Sequence, residues 1–322
     1  MNDLFGRNIH YLRISITDRC NLRCRYCMPD GVAMCGHDDV LRYEEFLRLA
    51  RLFARMGITH MRVTGGEPLV RKHAAAFIGD LKAIPGVDTV TMTTNGIFLP
   101  RYAAELKAAG LNGVNISLDT TDEVLSEAIT GFPGTVVAVR EGIAAMKEAG
   151  IPVKLNAVLL RQTAETIADV AAFAKEGIPV RFIELMPLGC GKDNLDGVSA
   201  AEALEKLRRV YPDLRESDSR PGVGPARYFE SSLLRAPIGI IDAVSHSFCA
   251  SCNRVRLTST GALKPCLCFE EGVELGQMLR AGASDEELRA AIAATIRKKP
   301  REHCFADPEQ MTENRLMSQI GG

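Results

Sequence analysis

Cys20-Asn-Leu-Arg-Cys24-Arg-Tyr-Cys27 gathers three thiols in one short loop with C-x3-C-x2-C spacing. Three thiolates can hold three irons of a four-iron, four-sulfur cube and leave the fourth iron open for a small molecule to chelate. Zinc is the competing reading, but structural zinc wants four ligands and His37 is a remote fourth. A second trio, Cys249-Ala-Ser-Cys252 followed by Cys266, repeats the three-ligand pattern as C-x2-C-x13-C. Here Cys268 or His303 could complete a zinc tetrahedron. Arg254 and Arg256 follow the pair directly, and in a strand they share one face. Two permanent cations beside a metal site read either as a solvated strand face or as a clamp for phosphate.

Ten cysteines in 322 residues are many for a reducing compartment. No apolar run reaches the length of a membrane span, and the opening Met1-Asn-Asp-Leu-Phe is not a secretory signal. The expected location is the cytoplasm, where disulfides are disfavoured and clustered thiols bind metal or do chemistry. The scattered Cys35, Cys190, Cys268 and Cys304 read instead as small buried hydrophobes. A formal net charge of −1 provides no global field for nucleic acid or an anionic membrane. Any anionic ligand must therefore be met by a local group of Lys and Arg.

The elements that position these groups alternate. Strand-like runs at 11–16, 60–63, 89–93, 113–118, 152–158 and 180–185 are separated by amphipathic segments at 43–56, 74–83, 101–109, 136–149 and 164–175, with glycine punctuating several helix ends. Six such repeats predict a parallel sheet with right-handed crossovers. Parallel strands are usually apolar on both faces. Here one face of five of them is polar: Arg13, Ser15, Thr17; Arg62, Thr64; Thr89, Thr91, Thr93; Asn115, Ser117, Asp119; Lys154, Asn156. If the sheet curls, these faces converge on a polar lumen that holds something charged. From about residue 187 the pattern changes to a helix at 200–210, a Pro/Gly/Ser-rich connector at 217–225, a hairpin at 254–264 and helices at 272–281 and 285–298. Two domains are expected, 1–225 and a smaller α+β unit over 226–322.

The run from Arg13 through Cys27, with Tyr26 before the last cysteine, resembles the radical S-adenosylmethionine superfamily, as does Thr64-Gly65-Gly66-Glu67-Pro68. That resemblance implies that S-adenosylmethionine chelates the open iron of the first cluster through its amino and carboxylate groups. Reductive cleavage of its sulfonium then releases a 5′-deoxyadenosyl radical. It also implies that the two glycines let the backbone approach the methionine.

Over almost its whole length the chain is similar to the GTP 3′,8-cyclases of molybdenum-cofactor biosynthesis, the MoaA family. The likeness is carried by Arg13, Arg62, Thr93-Thr94-Asn95-Gly96, Asn115-Ile-Ser117-Leu-Asp119, Phe182-Ile-Glu-Leu-Met186-Pro, both cysteine groups and Gly321-Gly322. It implies an α/β fold, an incomplete (β/α)6 TIM-like barrel closed by the smaller domain. It further implies two [4Fe–4S] clusters, one on Cys20, Cys24 and Cys27 and one on Cys249, Cys252 and Cys266, the second binding the guanine of GTP. Arg13, Arg62, Thr93, Lys154, Arg254, Val255 and Arg256 are the implied GTP contacts. Tyr26, Gly66, Ser117 and Met186 are the implied contacts to S-adenosylmethionine. Arg13, Arg254, Arg256 and the Gly321-Gly322 tail are expected to serve catalysis, the tail reaching into the cavity.

The implied reaction abstracts hydrogen from the 3′ carbon of the ribose and joins that carbon to carbon 8 of guanine. An electron and a proton then complete 3′,8-cyclo-7,8-dihydro-GTP. An electron donor of flavodoxin or reductase type and a downstream cyclic pyranopterin monophosphate synthase are the implied partners, with a homodimer as one admissible assembly. A peptide-modifying radical enzyme with an auxiliary cluster, or a zinc-binding module without catalysis, are the rival readings.

Overall fold

Six strands run parallel and in chain order through the middle of one twelve-stranded sheet: β1 (Tyr11–Ser15), β2 (His60–Thr64), β3 (Thr89–Thr94), β4 (Val114–Ser117), β5 (Val153–Leu159) and β6 (Val180–Glu184). The computed structural model describes residues 1–189, 196–218 and 221–321, so Cys190 and Gly322 lie outside the described residues. Helices α1 (Tyr43–Arg55), α2 (Ala74–Lys82), α3 (Leu99–Ala108), α4 (Glu123–Thr130), α5 (Thr135–Glu148) and α6 (Ile167–Ala171) connect the strands. In α1 the buried Phe46, Leu49, Ala50 and Phe53 recur at the spacing of one helix face. Each such side chain contributes about 1.5–3 kcal/mol when it leaves water for the core. Among the described residues no helix is long and apolar enough to cross a membrane.

Two connections differ from the sequence expectation. The segment expected as one helix over 164–175 is a short α6 flanked by 3-10 turns. Thr163 donates its hydroxyl to Leu160 O and Thr166 donates to Thr163 O, a bonding pattern to the residue three back that suits the tighter turn. Helix α4 was not anticipated, although the Asp122 carboxylate accepts from Leu125 N as an N-cap and Gly131 closes the helix at φ 68°.

Downstream lie α7 (Ala200–Val210), β7 (Arg215–Ser217), β8 (Arg227–Glu230), β9 (Ile238–Ile241), β10 (Arg254–Leu257), β11 (Ala262–Lys264), β12 (Val273–Glu274), α8 (Leu275–Arg280), α9 (Asp285–Arg297) and α10 (Met317–Ile320). These residues extend both edges of the central sheet. Strand β9 pairs parallel with β6, and β10 pairs parallel with β1. The hairpin expected at 254–264 is present as β10 and β11, antiparallel through Arg256 and Lys264. The start of the helix expected at 272–281 is instead β12, pairing Val273 with Leu263. A Cβ on Gly272 would stand 2.4 Å from Leu263 O, so only glycine lets the chain pass there. The fold is the expected α/β incomplete barrel, with β10 to β12 at one end of the sheet and β9, β8 and β7 at the other.

Candidate functional site

The polar faces converge. Side chains from β1 to β6 and β10, among them Arg13, Arg62, Thr93, Ser117, Lys154, Arg181, Arg254 and Arg256, line one cavity of about 530 Å³. Strand register explains how. Arg256, Arg13, Arg62 and Thr91 are successive paired positions across β10, β1, β2 and β3. A second row runs Thr93, Asn115, Lys154, and a third runs Ser117, Asn156, Arg181. In-register parallel strands therefore deliver the cations side by side.

Like charges this close and this dry disfavour their charged forms. Burial and then the Arg256 and Arg62 cations hold Arg13 well below the usual guanidinium range. Burial, with the neighbouring cations adding to it, brings Arg181 and Arg256 down to about 10. Burial followed by Arg181 and Arg62 brings Lys154 down to about 8. Tyr11 lies between two of them, with the Arg62 and Arg254 guanidiniums 5.6 and 5.7 Å from its ring centre.

The carboxylates that line the cavity are committed elsewhere. Asp119 accepts from Tyr26 Oη and Val158 N, both at 2.8 Å, and burial pushes it up to about 6. Glu184 accepts from Ala200 N, Val244 N and Ser245. Among the described residues no ion pair reaches Arg62, Lys154, Arg181, Arg254 or Arg256. Arg181 Nε and Nη2 and Arg254 Nε are buried without a hydrogen-bond partner there. Converging cations that are buried or half-buried and join no ion pair among the described residues fit a polyanion.

Cys20, Cys24 and Cys27 open into the same cavity. Cys27 N and Met28 N both donate to Cys24 O, which coils the loop. Leu22 N, at 3.4 Å, and Asn95 Nδ2, at 3.9 Å, point at Cys20 Sγ as donors suited to a thiolate. As free thiols Cys20 and Cys24 are pushed up, by burial first. Gly65 and Gly66 serve this loop: added Cβ atoms would stand 2.5 Å from Thr17 O and 2.4 Å from Arg19 O. Close approach of the cysteine loop's own backbone thus demands the glycines, a steric reason that stands beside the approach to the methionine that the resemblance implies. Buried Glu67 accepts from Leu69 N, Thr94 Oγ1 and Asn95 N, tying the ends of β2 and β3 together, and burial pushes it up to about 7.

The second trio flanks the arginine hairpin, with Cys249 and Cys252 just before β10 and Cys266 just after β11. Cys249, Cys252 and Cys266 do not line the cavity, whereas Arg254, Arg256 and Leu267 beside them do. Cations brace its backbone: the Arg7 guanidinium donates to Cys249 O and Arg301 O at 2.9 Å, and Lys299 Nζ donates to Arg254 O and Pro265 O. Burial pushes the Cys252 thiol up, but Lys299 and Arg254 outweigh it and the net shift is downward. His303 Nδ1 accepts from Phe305 N at 3.4 Å, leaving the ring proton on Nε2, which is buried without a partner. A donor held this way suits a sulfur-rich group on the neighbouring thiols. Among the described residues no three His, Cys, Asp or Glu side chains are drawn together as for a single metal ion; a four-iron cube spans more room than an ion. Fully buried Cys268 joins an apolar group with Leu188, Phe305 and Met311, which fits its reading as a small hydrophobe, whereas Cys35 and Cys304 are only half-buried. Cys266 packs at the edge of that group and is close enough to Cys249 and Cys252 to act on them electrostatically.

Residues 14–174 match the family model of the radical SAM superfamily, and residues 178–305 match that of Molybdenum Cofactor Synthesis C. The GTP 3′,8-cyclases of Heliobacterium modesticaldum and Moorella thermoacetica are 45% and 46% identical to this chain over the full length of both partners. The chain belongs to the GTP 3′,8-cyclase family. It is a radical S-adenosylmethionine enzyme of the first step of molybdenum-cofactor biosynthesis, and S-adenosylmethionine and iron–sulfur clusters are its cofactors. Among solved structures, SuiB of Streptococcus suis bound to S-adenosylmethionine superposes over 95% of this chain and 76% of its own, with a TM-score of 0.66 at 15% identity. The AdoMet-bound anSMEcpe covers 62% of this chain and 60% of its own, at a TM-score of 0.51 and 20% identity. At such identities the likeness is one of fold.

Within this cyclase, Tyr26, Gly66, Ser117 and Met186 line the cavity, as do Arg13, Arg62, Thr93, Lys154, Arg254 and Arg256. Val255 differs: its side chain is buried in the apolar core on the other face of β10. Gly321 is buried against β1 and β2, with φ +89°, and its carbonyl accepts from Arg256. A Cβ there would stand 2.8 Å from Ser15 Cβ, so Gly321 is pressed onto β1 and is not among the residues lining the cavity, while Gly322 is outside the described residues. Arg181 and Tyr11 were not singled out from the sequence. Arg181 carried the usable signal, a cation between the apolar Val180 and Phe182 of β6, and Gly239 opposite it leaves room where a Cβ would stand 2.8 Å from Arg181 Cγ.

Proposed function

We propose that the chain converts GTP to 3′,8-cyclo-7,8-dihydro-GTP in the cavity between β1–β6 and β10, and that its two cysteine trios hold separate [4Fe–4S] clusters. Residues 1–225 then form the barrel unit and 226–322 the unit carrying the second cluster. The observation that carries this reading is the meeting, in one cavity, of the three-thiol loop and a group of buried and half-buried cations, of which Arg62, Lys154, Arg181, Arg254 and Arg256 join no ion pair among the described residues. When bound, the first cluster and S-adenosylmethionine supply an electron and a carbon-centred radical. The chain's own residues bind, orient and exclude water. Arg13, Arg62, Arg254 and Arg256 hold the triphosphate, with Lys154, Arg181 and Thr93 on the adjoining rows. The Val255 backbone adjoins that group. Tyr26, fixed by Asp119, stands with Gly66, Ser117 and Met186 at the S-adenosylmethionine end. Cys20, Cys24 and Cys27 hold the first cluster; Cys249, Cys252 and Cys266 hold the second near guanine. Arg256 ties the Gly321-Gly322 tail to the phosphate group.

The test is anaerobic incubation of the reconstituted protein with GTP, S-adenosylmethionine and dithionite. Because the cyclised product is an isomer of GTP, chromatography must separate it, with one 5′-deoxyadenosine formed per nucleotide cyclised. Deoxyadenosine without a new nucleotide would refute the substrate. An electron donor of flavodoxin or reductase type, a cyclic pyranopterin monophosphate synthase that takes the product, and a homodimer complete the proposal.

Lys154 gives this reading a pH signature. Its amine titrates at about 8 in the ligand-free protein because burial, Arg181 and Arg62 disfavour the cation. A triphosphate favours the cation, so binding takes up a proton once the solution rises above that value. GTP affinity is expected to be level below about pH 8 and to weaken as pH rises beyond it. Titration calorimetry across this range measures the effect, and Lys154→Met should flatten it. An equally steep fall in Lys154→Met would assign the dependence to another group.

A further inference from the structure

A second cleft, of about 810 Å³, opens next to the first cysteine loop but outside the substrate cavity. Thr17 and Arg19 line this cleft, and the very next residue, Cys20, lines the cavity. A single stretch of backbone, held by Gly66 N on Thr17 O and Glu67 N on Arg19 O, is therefore the wall between them. The cleft is basic in a chain whose net charge is −1. Arg19, Arg42, Arg71, Lys72 and Arg280 face only two carboxylates, Asp38 and Glu45.

Part of that charge is structural. Arg71 is half-buried, donates to Ile16 O and Leu41 O, and lies 4.1 Å from the centre of the Tyr43 ring. Glu45 lies 3.6 Å from Arg42 and 3.8 Å from Arg280. The exposed Arg19 and Lys72 side chains make no ion pair among the described residues. None of these cations faces the substrate cavity, so cyclisation leaves them without a task. Unlike the cations of the cavity, four of them are exposed at the rim, which suits a broad acidic surface better than a small enclosed anion.

We propose that this cleft docks the acidic face of a small one-electron donor protein, one carrying a flavin or an iron–sulfur centre, beside the first cluster. The proposal rests on the reading that Cys20, Cys24 and Cys27 hold a reducible cluster. One electron leaves the reduced donor and enters that cluster; no bond or proton needs to move. Opposite charge steers the encounter, so the rate falls as salt rises.

The experiment follows the visible absorbance of the reconstituted full-length protein in a stopped-flow instrument. The reductant is a photoreduced flavodoxin, an acidic flavin mononucleotide protein, used at low and at high ionic strength. The double variant Arg19→Glu with Lys72→Glu is expected to be reduced on the order of tenfold more slowly at low salt, with the salt dependence flattened. Its iron content and its reduction by dithionite, which needs no docking, should match the unmodified protein. Lys72→Glu alone covers the case in which change next to Cys20 disturbs the loop, and should show part of the slowing. Lys107→Glu on the exposed side of α3 should have no effect. Unchanged flavodoxin rates in the Lys72→Glu and double variants, or equal slowing by Lys107→Glu, would overturn the docking site. Failure of dithionite to bleach even the unmodified protein would overturn the cluster assignment, and the docking proposal with it.

Discussion

Cys252→Ala is expected to stop cyclisation of GTP while part of the cleavage of S-adenosylmethionine persists, and Cys24→Ala is expected to abolish both. The division follows from where the trios stand. Cys24 opens into the cavity with Tyr26 and Gly66, whereas Cys252 is not part of the cavity lining and precedes β10 beside Arg254. Each variant should retain about four of roughly eight irons, since one cube survives in each. Iron analysis and quantification of 5′-deoxyadenosine and of cyclised nucleotide on the same sample decide the matter. Cyclic product from Cys252→Ala would make the second trio structural. A Cys24→Ala variant that still released deoxyadenosine would place the first cluster elsewhere.

Arg256→Ala should weaken GTP binding by about 1.5–3 kcal/mol for each charge-assisted bond lost, on the order of ten- to a hundredfold per bond. The clusters should remain, because Arg256 is not among their thiols and Val255 keeps β10 anchored in the core. A further consequence separates this from a folding defect. Burial together with Arg254 already holds Arg256 down to about 10, so its charge is carried against the field of its neighbours. Removing it eases that repulsion, and the melting temperature of the ligand-free protein should stay level or rise slightly. Affinity measured by calorimetry and melting followed by circular dichroism are the readouts. Unchanged GTP affinity would return Arg256 to a purely structural role as the donor to Gly321 O.

How far the site was legible depended on how its residues repeat. Arg13, Arg62, Thr91, Thr93, Ser117, Lys154 and Asn156 broke the apolar pattern of parallel strands at period two, and they line the cavity because those strands pair in register. Three-residue and four-residue strands such as β7, β8 and β9 carry too few alternations for such a pattern, and pairing at one far edge of the sheet supports them instead. Helix α4 is held by a cap and a glycine that, in sequence, look like any turn. The resemblance supplied Gly66 as a residue of the site, but its steric cause appeared only when the chain brought Arg19 O to 2.4 Å from where a Cβ would be. Val255 shows the converse: a residue flanked by two cavity cations can turn its own side chain fully away.

That both edges of the central sheet are covered by late residues bears on how the chain comes to be folded during synthesis. Strand β1 has β2 as an early neighbour, but its other partner is β10, and β6 likewise waits for β9. At translation rates of about 5–20 residues per second, the free edge of β1 stays open for on the order of ten seconds or more before Arg254–Leu257 emerges. An unpaired strand edge is a template for pairing with other chains. Arg13 keeps a charge on β1 throughout that interval, and the opposing Arg256 arrives only with β10. A charge on a waiting strand edge works against such pairing, so Arg13 is expected to oppose aggregation while the sheet is incomplete, in addition to the role proposed for it at the triphosphate.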